Sequence, residues 1–278
     1  PYTYIGEHAN FSDDLGTPYG TATYRLVLYS DPGTHLSLYL PELLCAGQVF
    51  LDGALAGSHG SVDPYMPHVI DGLYAFTSDG STEIVIQCAN YTHYYSGMYY
   101  PPAVGSSGAV FRLLAMRLAV YGFLCFSSFA IAVINLIPWL TRRDRLPWQM
   151  GFLSLAFAVR VSYPFFRALG VPLVRPLYAL EDLCGNLVLL CAILMAGELS
   201  GAAVRRYHRI IVVPAAAALC VYTTVFPLLI LPYTPWFFNI YGISLYVWKL
   251  AAGCYLLFLA GRTLREGRPM GKRLLCAA

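Results

Sequence analysis

Two kinds of hydrophobic pattern divide the chain. Up to residue 111, apolar and polar residues alternate over short runs such as ATYRLVLYS (22–30), which is typical of half-buried strands. Beyond residue 111, apolar residues fill runs of about 20 positions or more, long enough to cross a hydrocarbon core of about 30 Å as a helix. We therefore predict a β domain over 1–111 and a transmembrane helical domain over 112–278.

The β domain is predicted from alternating runs and turn residues. HLSLYLP (35–41), LYAFT (73–77) and TEIVIQC (82–88) alternate as strands do. QVFLDGALAG (48–57) is the clearest signal, because Asp52 and Gly53 between two apolar triplets specify a two-residue hairpin with positive φ at both turn residues. At least six short strands without a helical period predict an all-β sandwich of jelly-roll type.

Five apolar runs predict transmembrane helices, near 114–140, 147–168, 176–198, 209–232 and 236–261. Their connections are asymmetric in charge, since eleven Lys and Arg residues fall on one side and four on the other. Short cytoplasmic loops are enriched in these residues. The sequence therefore predicts a multi-pass protein of the cell membrane whose N-terminal β domain is extracellular.

Composition supports this division. The 278 residues are 58% hydrophobic and 12% charged, and the mean hydropathy of +0.57 lies far outside the range of soluble domains. Residues 1–111 hold ten acids and one base, whereas the rest of the chain holds five acids and seventeen bases. The chain begins with Pro and ends in GKRLLCAA, so we expect it to be an excerpt of a longer protein. We predict the lipid bilayer, and no nucleic acid, as a partner.

Candidate catalytic and metal-binding chemistry is sparse. Six of the eight cysteines lie in or beside the predicted helices, where they are small apolar residues. Cys45 and Cys88 fall in the β domain, and the sequence leaves open whether they pair. No metal-ligand spacing, nucleophile elbow or zincin motif occurs. The sequence predicts no catalytic residues, no metal and no cofactor, and hence no enzyme within this chain.

A family resemblance rests on motifs in a fixed order. GTATYRLVLY, LSLYLPEL, VFLDGALAGSHG and EIVIQCANYTHYYSGMYYPP precede the apolar runs. Arg160 late in the second run and Glu181 at the start of the third complete the pattern. In this order the chain resembles bacterial seven-transmembrane receptors with diverse intracellular signalling modules. It departs from them in Asp52, where the family's hairpin often has Asn, and in having five predicted spans.

The resemblance implies a membrane sensor. Members of the family carry a galactose-binding-like outer domain thought to recognise carbohydrate or another small ligand. They also carry a cytoplasmic output in the same chain, such as the sensor histidine kinase of a two-component system or a diguanylate cyclase. No H-box, nucleotide-binding glycine motif or GGDEF-like motif is present in these 278 residues. A homodimer is left open.

Aromatic loops supply the candidate ligand-binding residues. NYTHYYSGMYYPP (90–102) places five tyrosines and a histidine around one glycine, and tyrosine rings can stack on sugars while offering hydroxyl groups. The alternative is packing at the membrane interface, where Tyr is enriched. DPYMPHVI (63–70) is a second candidate loop, and His59 beside Gly60 is interpreted as a turn residue. The ligand-binding candidates are Tyr65, His68, Tyr91, His93, Tyr94, Tyr95 and Tyr99.

Charged residues within the predicted helices form a second group. Arg160 lies about 12 Å and Asp182 about 9 Å below the same end of adjacent antiparallel helices, at 1.5 Å per residue. Because a charge in lipid costs about 2.5–3.5 kcal/mol, we expect Arg160 to pair with Glu181 or Asp182. Lys249 has no acidic neighbour at its predicted depth, which leaves it neutral, hydrated or paired with a helix beyond this chain. The network could act as a structural clamp, a switch or part of a transport pathway.

Three functions remain open from the sequence. The first is a receptor that passes an external binding signal through its helices to an output domain. The second is a polytopic transporter that uses the intramembrane charges, although no internal repeat is visible. The third is a carbohydrate-binding surface protein for which the helices serve as an anchor.

Overall fold

The computed structural model describes residues 2–4, 9–11, 15–93, 97–171, 175–200, 206 and 208–267. The chain divides into two compact units. The first, here called the β unit, comprises Pro1–Tyr121, Tyr163–Arg175 and Leu231–Trp236. The second, here called the helical unit, comprises Gly122–Ser162, Pro176–Ile230 and Phe237–Ala278.

Short strands make up most of the β unit. The strands of the described residues are β1 Tyr2–Tyr4, β2 Ala9–Asn10, β3 Gly20–Tyr29, β4 Thr34–Leu40, β5 Ala46–Leu51, β6 Ala54–Ser61, β7 Met66–Pro67, β8 Gly72–Ser78, β9 Ser81–Asn90, β10 Gly97–Met98 and β11 Ala103–Ser106. The alternating runs of the sequence correspond to β3, β4, β5, β6, β8 and β9. The shorter strands were not predicted, since two to four residues carry too little alternation to be recognised.

Two antiparallel sheets face each other across the core of the β unit. One has the order β1-β11-β4-β8, the other has the order β3-β9-β5-β6-β7, and β10 pairs separately with β2. Leu38 and Leu40 of β4 pack in one buried cluster with Val49 of β5 and with Ile84 and Ile86 of β9. Apolar side chains of both sheets thus fill the space between them, which confirms the predicted β-sandwich. The finer jelly-roll assignment stays a prediction.

The hairpin predicted at Asp52 and Gly53 is confirmed. Both residues have positive φ, 49° and 78°, and they join β5 to β6. The Asp52 side chain also accepts a hydrogen bond from the Glu83 backbone N–H at 2.7 Å, which fixes the turn to β9. The interpretation of His59 as a turn residue is wrong. The register of this hairpin carries β6 through His59, which pairs with Gly47 and is 1% exposed.

Helices predominate after residue 106 of the described chain. They are α1 Ser107–Arg142, α2 Arg145–Arg160, α3 Tyr163–Ala168, α4 Arg175–Ser200, α5 Val213–Val225 and α6 Phe238–Arg265. Wider π-helical turns at His208–Val212 and Phe226–Ile230 flank α5. Among the described residues, four helical segments are long and apolar enough to cross a membrane: Ser107–Arg142, Arg175–Ser200, Ile210–Ile230 and Pro235–Arg265. The chain is therefore a membrane protein by length and composition of its helices.

The prediction of five spans is not confirmed. The segment predicted as the second span, 147–168, is divided into the 16 residues of α2 and the 6 residues of α3. Pro164 explains the break, since proline has no N–H to donate and disfavours helical backbone at the residue before it. The Val161 and Ser162 N–H groups close the end of α2 on the carbonyls of Phe157 and Val159.

The last strand of the sandwich leads directly into the first long helix. Strand β11 ends at Ser106 and α1 begins at Ser107. Strand β11 pairs with the central strand β4 from Ala103 to Ser106, and Ser37 of β4 shares a 2.8 Å hydrogen bond with Ser107. No linker therefore separates the paired strand from the helix, so the helix begins from a position fixed by the sheet.

Candidate functional site

Asn90 anchors the start of the tyrosine-rich loop. Its side chain is fully buried at the end of β9. The Asn90 amide group donates to the carbonyls of Pro18 and His93 at 2.6 and 2.7 Å, and its oxygen accepts from the His93 N–H at 3.0 Å. These bonds satisfy the polar groups of a tight turn over Tyr91 and Thr92. The loop is thus held at its base.

Tyr65 and Tyr91 form an aromatic pair above this anchor. The Tyr65 hydroxyl donates to the Asn90 oxygen at 3.3 Å and lies 3.0 Å from the Thr92 hydroxyl. The ring of Tyr65 meets the ring of Tyr91 edge to face, with centroids 5.1 Å apart. Tyr91 is 54% exposed while Tyr65 is half-buried. The structure therefore brings together residues of the two loops that the sequence treated as separate candidates.

The remaining loop candidates lie in different surroundings. His93 is 6% exposed, and burial, aided by the charge of Arg175, lowers its pKa to about 4. It is therefore a neutral core residue at neutral pH. His68 is half-buried, and its N–H donates to the His59 carbonyl at 3.4 Å. Tyr99 is half-buried with its ring 5.2 Å from that of Tyr100. Tyr94 and Tyr95 lie outside the described residues.

The two tyrosines place an exposed ring beside one whose hydroxyl is held in position. The Tyr91 ring is accessible to solvent, and the Tyr65 hydroxyl is held by two polar partners. Aromatic rings contribute apolar contact area at low cost in conformational entropy, and their hydroxyls add hydrogen bonds. The pair thus presents an exposed aromatic ring next to a hydroxyl group of fixed position.

A deeply buried charge of the β unit was not predicted. Arg167 of α3 has a side chain that is only 2% exposed. Its Nη1 lies 3.2 Å from Glu42, and its Nε and Nη2 both donate to one oxygen of Asp71, at 2.8 and 2.5 Å. Glu42 follows β4 and Asp71 precedes β8, so one arginine binds two loops of the sandwich. Charge-assisted bonds of this kind are roughly twice as strong as neutral ones.

Asp71 is the centre of this cluster. One of its oxygens accepts the Tyr39 hydroxyl at 2.7 Å, and the other accepts the Glu42 backbone N–H at 3.0 Å as well as Arg167. Burial and the negative charge of Asp71 raise the pKa of Tyr39 above its usual value. Burial opposes the charge of Arg167, but Glu42 and Asp71 outweigh that effect and raise its pKa. These shifts favour the charged form of Arg167 and the neutral form of Tyr39.

The sequence contains a signal for this cluster that did not enter the prediction. Glu42 stands in LPELL and Asp71 in VIDGL, so both acids are flanked by apolar residues. Residues 1–111 contain Arg25 as their single base, which is exposed and paired with Glu83. A basic partner for any other buried acid of the sandwich therefore had to come from a histidine or from beyond residue 111. That reasoning leads to the basic residues near the helix ends, of which Arg167 is one.

The intramembrane charges lie in the helical unit. Arg160 Nη2 is 3.6 Å from Glu181 Oε1, so the expected contact is present in the structure. Asp182 accepts a hydrogen bond from the Tyr241 hydroxyl at 2.9 Å. Lys249 acts electrostatically on both carboxylates, and its pairing stays a prediction. Its ammonium group lies 5.5 Å from the ring centre of Tyr246. Whether this network has a functional role stays a prediction.

Cysteines and metal sites add nothing further to the chemistry. Cys45 and Cys88 are both buried thiols of one core cluster, and a hydrogen bond to Cys45 together with burial raises the pKa of the Cys88 thiol. Within the described part of the chain, no group of three His, Cys, Asp or Glu residues is placed to hold a metal ion.

Comparisons with known proteins give no family. No family model matches the chain, and no curated protein matches it. Among solved structures, a GH2 beta-galacturonidase from Eisenbergiella tayi bound to glycerol is similar at 14% identity and a TM-score of 0.29, over 38% of this chain and 22% of that one. The galacturonate-bound form has 12% identity and a TM-score of 0.28 over the same shares. The chain covers less than a quarter of these enzymes, and likenesses this weak carry no functional argument.

Proposed function

We propose that the chain is the sensing and transmembrane part of a membrane receptor. Its β unit binds an external ligand, and the helices pass the event to an output domain in the same full-length protein. Acidic residues dominate the sandwich and basic residues dominate the opposite helix connections, which supports an external β domain. The resemblance to seven-transmembrane receptors with diverse signalling modules points to the same arrangement.

The observation that carries this proposal is the buried ion pair of Arg167 with Glu42 and Asp71. Arg167 belongs to α3, which begins three residues after α2 ends at Arg160. A segment that serves only as an anchor needs no buried charge. Burying Arg167 with its two carboxylates costs several kcal/mol of desolvation per ion, which only precise pairing offsets. The contacts of Arg167 join the sandwich to α3, and β11 continues directly into α1. The sandwich therefore has two rigid connections to helical segments. A ligand that favours one arrangement of the loops would thereby shift the helices.

The ligand surface in this proposal is the Tyr65–Tyr91 pair. Both residues lie in loops next to ends of the strands, and Tyr91 is accessible. We propose a saccharide as the ligand class, because an exposed ring with neighbouring hydroxyl groups suits stacking and hydrogen bonding to sugar. No charged side chain takes part in the contacts described for this pair.

The first experiment tests binding with the purified full chain in detergent on a glycan array. The isolated sandwich is unsuitable because Arg167, which neutralises its acids, lies outside residues 1–111. Wild-type protein should retain a defined set of glycans, and Tyr91→Ala should lose them. Tyr29→Ala is the matched control. Tyr29 is 79% exposed at the end of β3, so this substitution removes an equal ring from a different surface. Equal binding by the Tyr91 and wild-type proteins would contradict this ligand site.

The second experiment tests coupling with the best glycan of that array. Hydrogen exchange of α3 and of the first turns of α1 should slow when the glycan binds. The double variant Glu42→Gln/Asp71→Asn, which removes charge from the cluster, should keep glycan binding but lose the change in the helices. Glycan binding without any change in wild-type helices would instead favour the second candidate.

That second candidate is a carbohydrate-binding surface protein with a membrane anchor. The Tyr65–Tyr91 pair favours it as much as it favours a receptor. The two functions differ in a single measurement, since an anchor predicts that the exchange of α1 and α3 is unchanged at saturating glycan.

A further inference from the structure

A second site lies within the β unit, away from the tyrosine pair. It is a cavity of about 390 Å³ between strands β4 and β8, the first turns of α1, and α3. Its apolar lining comes from Leu73, Phe111, Leu114, Leu118, Pro164 and Ala168. Its polar lining comes from Tyr39, Asp71, Arg117 and Arg167. A cavity of this size, mostly apolar with a few polar groups on one side, is typical of a small-molecule site.

The charged side chains that line the cavity are paired differently among the described residues. Arg167 is paired with Glu42 and Asp71, and the free oxygen of Asp71 accepts the Tyr39 hydroxyl. Arg117 is different. Among the described residues no carboxylate lies within 4 Å of it, and its contacts are two long hydrogen bonds to the hydroxyls of Tyr39 at 3.4 Å and Tyr163 at 3.3 Å. A half-buried guanidinium of this kind calls for an anion.

The position of Arg117 along α1 identifies the kind of anion. The next 24 residues of the helix, 118–141, contain no Asp, Glu, Lys, Arg or His. At 1.5 Å per residue they span about 36 Å, enough to cross the hydrocarbon core of about 30 Å. A span over 118–141 would place Arg112 and Arg117 at the boundary where lipid head groups lie. Phe111, Leu114 and Leu118 extend the apolar wall of the cavity along the same helix.

We propose that this cavity binds a single anionic amphiphile, whose phosphate or carboxylate head group pairs with Arg117 and whose acyl chain lies along Leu114 and Leu118. The source is either a phospholipid of the surrounding membrane or a free single-chain amphiphile. Such a site goes beyond ligand sensing at the tyrosines and does not depend on it. It places a lipid against α1 and α3, the two helical segments joined to the sandwich.

The test uses the purified, delipidated full chain and native mass spectrometry. Dioctanoyl phosphatidylglycerol, dioctanoyl phosphatidylcholine, decyl phosphate and inorganic phosphate are the probes. We expect one phosphatidylglycerol to bind at least about tenfold more tightly than phosphatidylcholine, which has the same chains and no net charge. Decyl phosphate binding more tightly than phosphatidylglycerol would identify the free amphiphile as the source. Inorganic phosphate binding as tightly as either would overturn the proposal, because the apolar wall would then contribute nothing.

Variants of one helix supply the controls. Arg117→Gln should remove the preference for the anionic lipid. Arg112→Gln removes the same charge five residues earlier and should leave the preference for the anionic lipid intact. The Arg112 side chain is exposed and donates a hydrogen bond to the Gly108 carbonyl of its own helix. Equal losses in both variants would overturn the site in favour of general attraction to basic residues. Should Arg117→Gln fail to fold, Leu118→Trp tests the site instead. The tryptophan fills the cavity and keeps every charge, so lipid binding should be lost. Unchanged lipid binding in Leu118→Trp would likewise overturn the proposal.

Discussion

Two arginines seven residues apart show how differently one kind of ion pair can be built. Arg160 of the helical unit lies 3.6 Å from the Glu181 carboxylate and donates to the Glu181 backbone carbonyl at 3.5 Å, and both side chains are about one third exposed, 31% and 33%. Arg167 of the β unit is 2% exposed and holds Glu42, 3% exposed, and Asp71, 22% exposed, at 3.2 and 2.5 Å. Burial and the number of hydrogen bonds, more than the presence of opposite charges, decide how much each pair matters to the fold.

The largest effect is expected for Arg167→Leu. The substitution leaves two carboxylates near an apolar core without their cation, which typically costs about 3–5 kcal/mol. The free energy of opening of β4 and β8, measured by hydrogen exchange of the full chain in lipid nanodiscs, should fall by that amount. Arg25→Leu is the matched control in the same unit, because its pair with Glu83 is exposed and should change stability by less than about 1 kcal/mol. Similar losses in both variants would remove the distinction between buried and exposed pairs.

Acid should destabilise the β unit through His93. His93 has a pKa of about 4 in the fold, below its ordinary 6.5, so the unfolded chain takes up the proton first. Stability therefore falls as pH decreases from about 6.5 to about 4, by about 3 kcal/mol at 1.36 kcal/mol per unit. Opening of β9 should follow this course in a hydrogen-exchange titration.

The control for this titration is His93→Gln, which should flatten most of the pH dependence. A smaller slope should remain, since burial and the nearby His68 also lower the pKa of His59. An acid response that is the same with and without His93 would show that this histidine is not the titrating group.

The predictability of these features follows the distance between partners along the chain. The Asp52–Gly53 hairpin is specified by adjacent residues, and the contact of Arg160 with Glu181 follows from equal depth in neighbouring helices. The partners of Arg167 are 96 and 125 residues away, and no local pattern encodes such a contact. Charge balance within the sandwich was the only signal that could have pointed to it.

The tyrosine loop illustrates a second limit. Composition predicted Tyr91 of this loop and Tyr65 of the loop 63–70 as separate ligand-binding candidates, and the structure brings their ring centres to within 5.1 Å. The sequence could not show that Asn90 turns the backbone so that His93 enters the core while Tyr91 faces outward. A single loop thus contains a surface residue and a core residue of equally polar character.

A smaller effect is expected for Arg160→Leu. Its pair is intermediate in exposure, so the loss should be about 1–2 kcal/mol, between the ranges of exposed and buried pairs. Hydrogen exchange of α2 and the first half of α4 reports it. The exchanged pair Arg160→Glu/Glu181→Arg should recover part of the loss, because the charges remain complementary. A loss above that of Arg167→Leu would invert the comparison between the two arginines.

The smallest and most discriminating effect comes from lysine at each position. Lysine keeps the charge but presents a single ammonium in place of the planar guanidinium, which can bond two acceptors at once. Arg167 uses three of its nitrogens on two carboxylates, so Arg167→Lys should lose about 1 kcal/mol through one missing charge-assisted bond. Arg160 makes only long contacts with Glu181, at 3.6 Å to its carboxylate and 3.5 Å to its backbone carbonyl, so Arg160→Lys should be close to neutral. Equal, near-zero changes at both sites would mean that only charge matters in the β unit, and the geometric contrast between the two arginines would have no energetic consequence.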